Sequence, residues 1–598
     1  MKLCLRHLTI PLAALIAVLP LTHHGPSCGH DFDFHLLSWM EAARQFSHGN
    51  MHPHWAFTPA YNAGEPRFVF YPPISWTLGA LLGLALTHLP GVSEAAGWTA
   101  APILYTWLVL TLSGVTLYRL ARQYASQNAA LIAATLYLAN PYMLFTAYER
   151  TAYAELLAAA VIPLLLQSIL NERVTITRIA VPVALLWLIN APAAVMGSYA
   201  LAFLAILRFI NELRRNNATR FARKSVAGVA LGLALAAFYI LPASLQRRFV
   251  QIAMATSVAG LSVRNNFLFE HTGSDYDALL HDAVLHTASW ISIIVLFATI
   301  LAFAAAHLLR NRAEGTPLDS AMRELATFPT LPLALLAVAI GFLLTPHSLP
   351  LWRHAPQAQY LQFPWRLLAI LAPVLALAAA RALTLAAPAI AGIAERMRCA
   401  QSNGDSISHY KDALVAVASV MLASALIFPA YHSFRQPCAA EDTASARLAL
   451  FHSSLGSDPT DEYTPISADN DALAPPPPTA YGPPTLPPYW LADTTDAPAP
   501  TFKHPGPAPA HLMLTLAHSG FLVLNLREYP AWRITLNGAL AAHPPRRDDG
   551  LITLALPAGL STIDICYSRM PSEIAGDAIA LLALALLAIT LYIEREKI

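Results

Sequence analysis

TASWISIIVLFATILAFAAAHL, residues 287–308, holds no Asp, Glu, Lys or Arg. A helix rises about 1.5 Å per residue, so this run can cross a hydrocarbon core of about 30 Å. Arg310 and Arg312 close it on one side. Outward from it, twelve further apolar runs fall near 8–22, 72–90, 98–118, 129–147, 154–170, 179–191, 198–211, 225–243, 329–346, 366–386, 411–430 and 575–593. They explain a chain of 598 residues that is 56% hydrophobic and 12% charged, with mean hydropathy +0.48. A soluble globular chain carries roughly 25% charged residues. The net charge of +1 implies no nucleic-acid partner. The sequence reads as a polytopic α-helical membrane protein.

Lys and Arg in short loops set orientation. Basic clusters occur at Arg119/Arg122, Arg173/Arg178, Arg214–Lys224, Arg310/Arg312, Arg396–Lys411 and Arg595/Lys597. Counted back from the C-terminus, they occupy alternate loops, which are therefore expected in the cytoplasm. The first run follows Lys2 and Arg6 and has no small-x-small cleavage site before Cys28. It is expected to be an uncleaved span. If 72–90 also spanned, the Lys2/Arg6 end and the Arg119 loop could not both be inside. The start of that run, YPPISW, is poor for a plain helix, because two prolines remove donors. A juxtamembrane or re-entrant segment at 72–90 resolves the parity. Twelve spans with both termini inside is the favoured count, and thirteen is the alternative.

The domain organisation follows. Residues 1–430 form the transmembrane domain, with a first extracytoplasmic loop at 23–97. Further outer segments are the turn Tyr148–Tyr153, 244–286 and 347–365. Residues 431–510 contain APPPPTAYGPPTLPPYW and APAPTFKHPGPAPA, the composition of a stiff linker. Residues 511–574 carry HLMLTLA, GFLVLNL, WRITL, LITLALP and STIDICY, broken by NG, DDG and PAG turns. That pattern predicts a small extracytoplasmic β-sandwich. Residues 575–598 make the final span and tail. The five cysteines, Cys4, Cys28, Cys399, Cys438 and Cys566, show no CxxC or zinc spacing. Cys28, Cys438 and Cys566 fall in outer segments, where a bridge such as Cys438–Cys566 can form.

Candidate chemistry gathers at span boundaries. In HDFDFHLLSWMEAARQF, residues 30–46, Phe32, Leu36, Trp39, Ala43 and Phe46 make one apolar stripe. Asp31, His35, Ser38 and Gln45 share a neighbouring polar face. A carboxylate and an imidazole at i,i+4 can act as a base with an orienting partner, or as two metal ligands. The competing reading makes Asp31 the helix N-cap and Asp33 a favourable first-turn charge. GEPRFVFYPP, Gly64–Pro73, is either an aromatic belt with a turn or a substrate-facing lip that includes Tyr71. YERTAYAELL places Glu149, Arg150 and Glu155 at a span end, facing a cavity or pairing internally. QYLQFPWRLL places Arg366 beside Trp365, either snorkelling or gripping an anionic headgroup. His23–His24 and His52–Pro53–His54 lack a Cys or carboxylate at ligand spacing, so metal is a weak reading there. No P-loop, GxSxG or Rossmann fingerprint is present, so nucleotide chemistry is not indicated.

Taken in order, several motifs resemble a known family. They are D-x-x-F-H (Asp31, Phe34, His35), G-x-P-x-F-x-F-Y-P-P (Gly64 to Pro73) and E-R-x-A-x-A-E-L (Glu149 to Leu156). Next come Q-F-P-W-R (Gln362 to Arg366), E-Y-x-P (Glu462, Tyr463, Pro465) and Y-P-A-W-R with L-N-G (Tyr529 to Arg533, Leu536 to Gly538). The set resembles the bacterial multispanning proteins labelled 6-pyruvoyl-tetrahydropterin synthase-related, close to the YfhO-like proteins. Both are similar to the GT-C glycosyltransferase superfamily. The pterin label implies a three-histidine zinc site, which the sequence does not offer. The resemblance implies a GT-C-like bundle in the bacterial cytoplasmic membrane and a sugar transferase using a polyprenyl-phosphate donor. The acceptor would be an extracytoplasmic glycan or protein, with membrane lipid as the other partner. It implies a catalytic carboxylate at Asp31, with Asp33 making the segment D-x-D-like, and a second acid at Glu149. His35 would orient Asp31. Arg366, with Arg150, would meet the lipid phosphate, and Tyr71 and Trp365 would border it. No metal ligands are assigned, and a divalent metal stays open. A non-catalytic envelope scaffold and a lipid-linked glycan transporter are the rival readings.

Overall fold

The computed structural model describes residues 5–257, 259–313, 327–398, 407–453, 455–466, 468–473, 488–492, 508, 510–541 and 547–596. Residues 399–406, within the Arg396–Lys411 loop, and most of the Pro-rich stretches, 474–487 and 493–507, lie outside the described residues, as do Cys4 and Cys399. Every one of the apolar runs is helical. Among the described residues, eight helices are long and apolar enough to cross a membrane. Two bent pairs, Ala218–Leu235 with Ala237–Phe249 and Thr330–Leu343 with Pro346–His354, raise that count to ten. The difference from the expected twelve lies in the 20-residue helix Leu5–His24 and the shorter apolar helix Ile176–Ile189. The latter stops at Asn190, whose side chain caps the next helix by accepting from Ala193 N at 2.8 Å.

The run at 72–90 forms the helix Pro73–Thr87, 15 residues long and short of a span. Its prolines define the start, where a missing N–H costs nothing. Gly79 sits flat on the Trp39 indole, where a Cβ would clash with the ring. This close approach locks the short helix against Phe32–Ser47, the helix of the first loop. The apolar stripe of that helix, Phe32, Leu36, Trp39, Ala43 and Phe46, is buried in the main core. The helix is therefore packed into the bundle rather than laid on a membrane surface.

Two antiparallel sheets follow. β1 (Tyr489–Ala492), β3 (Gly520–Arg527) and β6 (Leu551–Leu556) form one, in the order β1-β3-β6. β2 (His511–Leu516), β4 (Trp532–Leu536), β5 (Ala539–Leu540) and β7 (Gly559–Tyr567) form the other, in the order β2-β7-β4-β5. The sandwich thus begins at Tyr489, ahead of the expected 511, because Tyr489–Ala492 pairs with the edge of β3. Its core, which includes Leu522, Leu524, Ile552, Leu554 and Ile563, is continuous with Trp55, Val69 and Phe70 of the first loop. The two regions form one roof over the bundle. A buried polar clamp fastens it. Arg67 donates to Glu65 at 2.7 Å, to Ser38 at 3.0 Å and to Thr460 at 3.1 Å, and the Thr460 hydroxyl donates back to Glu65 at 2.9 Å. The start of the GEPRFVFYPP segment is therefore a buried clamp, while its end, Phe70, Tyr71 and Pro72, lines a cavity.

The disulfide differs from the pair considered above. Cys28 bonds Cys438 across 410 residues, and Cys566 is free and exposed. Cys28 and Cys438 are brought within 4.9 Å (Cα–Cα) at the roofed end of the bundle, whereas Cys566 lies on β7. Replacing Cys28 and Cys438 together by Ser is expected to cost about 2–4 kcal/mol of stability. Thermal unfolding in nanodiscs checks this, with Cys566→Ser unchanged.

Candidate functional site

Asp31 precedes the first-loop helix and occupies its N-cap position, yet its side chain makes no capping hydrogen bond. The carboxylate lines a cavity of about 710 Å³ instead. Its position is fixed through the backbone. His30 N donates to Glu149 O at 3.3 Å, and Asp31 N donates to Arg150 O at 3.0 Å. Gly29 makes that seam possible, because a Cβ there would overlap the Glu149 carbonyl. Thr151 closes the turn with φ +48°. A β-branched residue in that left-handed region is strained and held by its surroundings. The turn sends Arg150 into the cavity.

Opposite Asp31 lies a buried charge cluster. Arg150 Nη1 donates to Glu155 Oε2 at 2.7 Å, and Arg366 Nε lies 3.3 Å from the same oxygen. The Tyr142 hydroxyl also donates to Glu155. Arg150 stacks over Trp365 at 5.0 Å and Arg366 over Phe363 at 4.8 Å. Arg366 Nη1 reaches Leu361 O at 3.0 Å and Gln362 Oε1 at 3.3 Å. Gln362 itself has φ +61°. Arg366 sits in the first turn of the span Pro364–Ala387, where the helix terminus adds positive potential. Two guanidinium groups share one carboxylate, so the cluster carries an excess of one positive charge beside Asp31.

The structure sorts the expected site residues. Asp31, Tyr71, Arg150 and Arg366 share one cavity. Trp365 is buried behind it and supports Arg150. Asp33 points away, half exposed and 3.9 Å from Arg447. Alternate residues at a helix start face different directions, so the D-x-D-like pair is split. Glu149 accepts from Gln436 outside the cavity walls, and burial raises its pKa. His35 is buried behind the wall, edge-on to Tyr71 and Tyr153. Among the described residues, no hydrogen bond or ion pair joins its ring to Asp31. Burial lowers its pKa to about 4, against the pull of Asp31, so the ring is neutral at pH 7.

Other residues complete the site. The roof contributes Thr460, Glu462 and Tyr463, and the bent helix pair contributes Tyr239 and Arg247. Burial raises the pKa of Glu462. It belongs to the E-Y-x-P motif, which was the available signal. His30 and Arg247 carried no pattern that pointed to them. Among the described residues, no three His, Cys, Asp or Glu side chains converge as a metal site.

These features define a polytopic membrane protein with a roofed cavity that sets a carboxylate against buried arginines. Residues 68–435 match the model of the 6-pyruvoyl-tetrahydropterin synthase related domain, a membrane protein family. The chain belongs to that family. The match includes Arg150, Glu155 and Arg366 and stops short of Asp31 and the sandwich. No curated protein matches the chain. Solved structures similar to it include the oligosaccharyltransferase AglB of Archaeoglobus fulgidus, 15% identical, with TM-score 0.38 over 73% of this chain and 56% of that one. The mycobacterial arabinofuranosyltransferase AftD is 15% identical, with TM-score 0.39 over 70% of this chain and 26% of that one. ArnT of Cupriavidus metallidurans, bound to undecaprenyl phosphate, is 14% identical, with TM-score 0.35 over 74% of each chain. The chain spans little more than half the length of AglB and about a quarter of AftD.

The His35 ring gives a pH test. An unfolded imidazole takes its proton near 6.5, and the folded one only near 4. Between those values the unfolded chain binds the extra proton, so stability falls as pH drops. His35→Phe is expected to make that slope shallower by up to about 1.4 kcal/mol per pH unit. Unfolding measured across this pH range checks it, and an unchanged slope would mean that the folded ring is protonated.

Proposed function

We propose that the chain is a membrane glycosyltransferase that moves a sugar from a polyprenyl-phosphate donor to an acceptor at the outer face of the bacterial cytoplasmic membrane. The observation that carries this reading is the single cavity joining Asp31 to the Arg150–Glu155–Arg366 cluster. The family's motif resemblance points the same way. The Cys28–Cys438 bond at the roofed end supports an oxidising compartment on that side.

In this reading Asp31 accepts the proton of the acceptor hydroxyl as its oxygen attacks the anomeric carbon. The bond from that carbon to the phosphate oxygen breaks, and its electron pair leaves with the lipid phosphate. Arg366 and Arg150, both buried, stabilise the charge gathering there. Guanidinium suits this task because its fork matches two phosphate oxygens. Glu155 holds both forks in place without neutralising them fully. Glu462 and Tyr463 close the cavity from the roof, on the side where an acceptor would enter.

Asp31→Asn is expected to lower kcat by about 10²–10⁴-fold while the fold persists. Full activity would remove Asp31 as the base. Arg366→Ala is expected to raise KM for the lipid-phosphate donor about tenfold or more. Unchanged donor binding would make Arg366 an anchor only. Transfer retained in EDTA would leave the phosphate charge to the arginines, and loss would place a divalent cation beside Asp31. Lipid scrambling in liposomes without transfer would indicate a transporter.

A further inference from the structure

A second cavity, of about 350 Å³, opens beneath the roof and shares no lining residue with the one that holds Asp31. The first loop supplies Asn50, His52, His54 and Phe57 to its walls. The sandwich end supplies Trp532, Tyr567 and Arg569. Flat aromatic faces thus alternate with amide and imidazole groups. Little net charge remains among them. Burial holds the His54 imidazole down to about 3 and lowers His52 as well. Arg569 is paired with Asp577. Among the described residues the buried Trp532 indole N–H has no hydrogen-bond partner, although the residue lines the pocket. Such a donor calls for an acceptor that the described residues do not supply. An uncharged ligand with hydroxyls around an apolar face meets all of these conditions. That is the chemistry of a pyranose.

An apolar groove of about 530 Å³ lies next to this pocket. It runs between the helix Ile176–Ile189, through Val181 and Leu188, and the final span Pro571–Arg595, through Ala580 and Leu584. The two spaces meet at two points. Phe238 lines the groove and packs edge-on against His52 of the pocket at 5.7 Å. Asp577 of the groove pairs with Arg569 of the pocket. A polar, uncharged pocket set at the head of a hydrocarbon-lined groove has the two-part polarity of an amphiphile.

We propose that pocket and groove form one binding site for a lipid-linked sugar, with the saccharide headgroup in the pocket and the hydrocarbon tail in the groove. This site is separate from the cavity holding Asp31. Phe238 faces the groove and its neighbour Tyr239 faces the Asp31 cavity, so one helix divides the two. Which step a molecule bound here takes part in rests on the transferase reading above. The binding itself does not.

The test uses the full chain in lipid nanodiscs and a dodecyl β-glucoside carrying a diazirine in its tail. After irradiation, labelled peptides are mapped by mass spectrometry, and no transfer is measured, so failure of the transferase reading leaves the result intact. Labels are expected within 181–188, 235–238 and 577–587. Unlabelled dodecyl glucoside should compete, and dodecyl phosphocholine should not. Ala580→Trp fills the groove from its lipid-facing side, and Asn50→Ala with Phe57→Ala opens the pocket. Each is expected to cut labelling about tenfold. Equal competition by dodecyl phosphocholine would make the groove a seat for bulk lipid and overturn the proposal. So would labelling indifferent to Ala580→Trp, or labels confined to residues outside 181–188, 235–238 and 577–587. Competition on the unaltered chain decides the matter even if a variant fails to fold.

Discussion

One buried carboxylate held between two guanidinium groups organises the centre of this protein. Glu155 sits 2.7 Å from Arg150 and 3.3 Å from Arg366. Removing such a carboxylate would leave two buried positive charges facing each other, a loss of several kcal/mol. The arrangement ties two distant segments together: the turn after Tyr148 with the span that follows it from Tyr153, and the span that starts at Pro364. It also leaves one positive charge unbalanced. Asp31 is carried to that charge by backbone hydrogen bonds from the first loop, so the electrostatics of the cavity and the path of the chain are one problem.

The roof depends on the same economy of buried polar groups. Glu65, Arg67, Ser38 and Thr460 satisfy one another where water has been excluded. Burial makes each of these bonds costly to leave unmade. Arg527 of β3 repeats the pattern, fully buried and donating to Asn470 at 2.6 Å. Apolar contacts then join the sandwich core to Trp55, Val69 and Phe70. Trp532 on β4 thus lines the second cavity, and Tyr463, packed beside the sandwich core, lines the one that holds Asp31.

Much of the candidate site was legible in the sequence, and the rest failed for identifiable reasons. Ionisable residues at span ends are expensive to expose to lipid, so Arg150 and Arg366 could be marked without a structure. Asp31 could be marked too, with its competing role as a cap. Glu462 was present only as part of a motif, because nothing local shows that a residue far along the chain will return to the first loop. Asp33 and Glu149 stood at the right places in sequence but turn out of the cavity. His35 stands one helical turn from Asp31, yet its ring is walled off by Tyr71 and Tyr153. Spacing gives the face of a helix, and packing decides what that face meets.

The sequence by itself determined the medium and the parts. Apolar length dictated a membrane-spanning bundle, and two-residue alternation between turn signals dictated a sandwich. Both are local properties, since water and lipid act on each segment separately. Tertiary structure alone decided that Cys28 meets Cys438 and not Cys566, and that the sandwich takes Tyr489–Ala492 as an edge strand. It alone decided that Glu155 is shared by two arginines facing Asp31. These are pairings between segments far apart in the chain, chosen by which groups could be buried together at least cost.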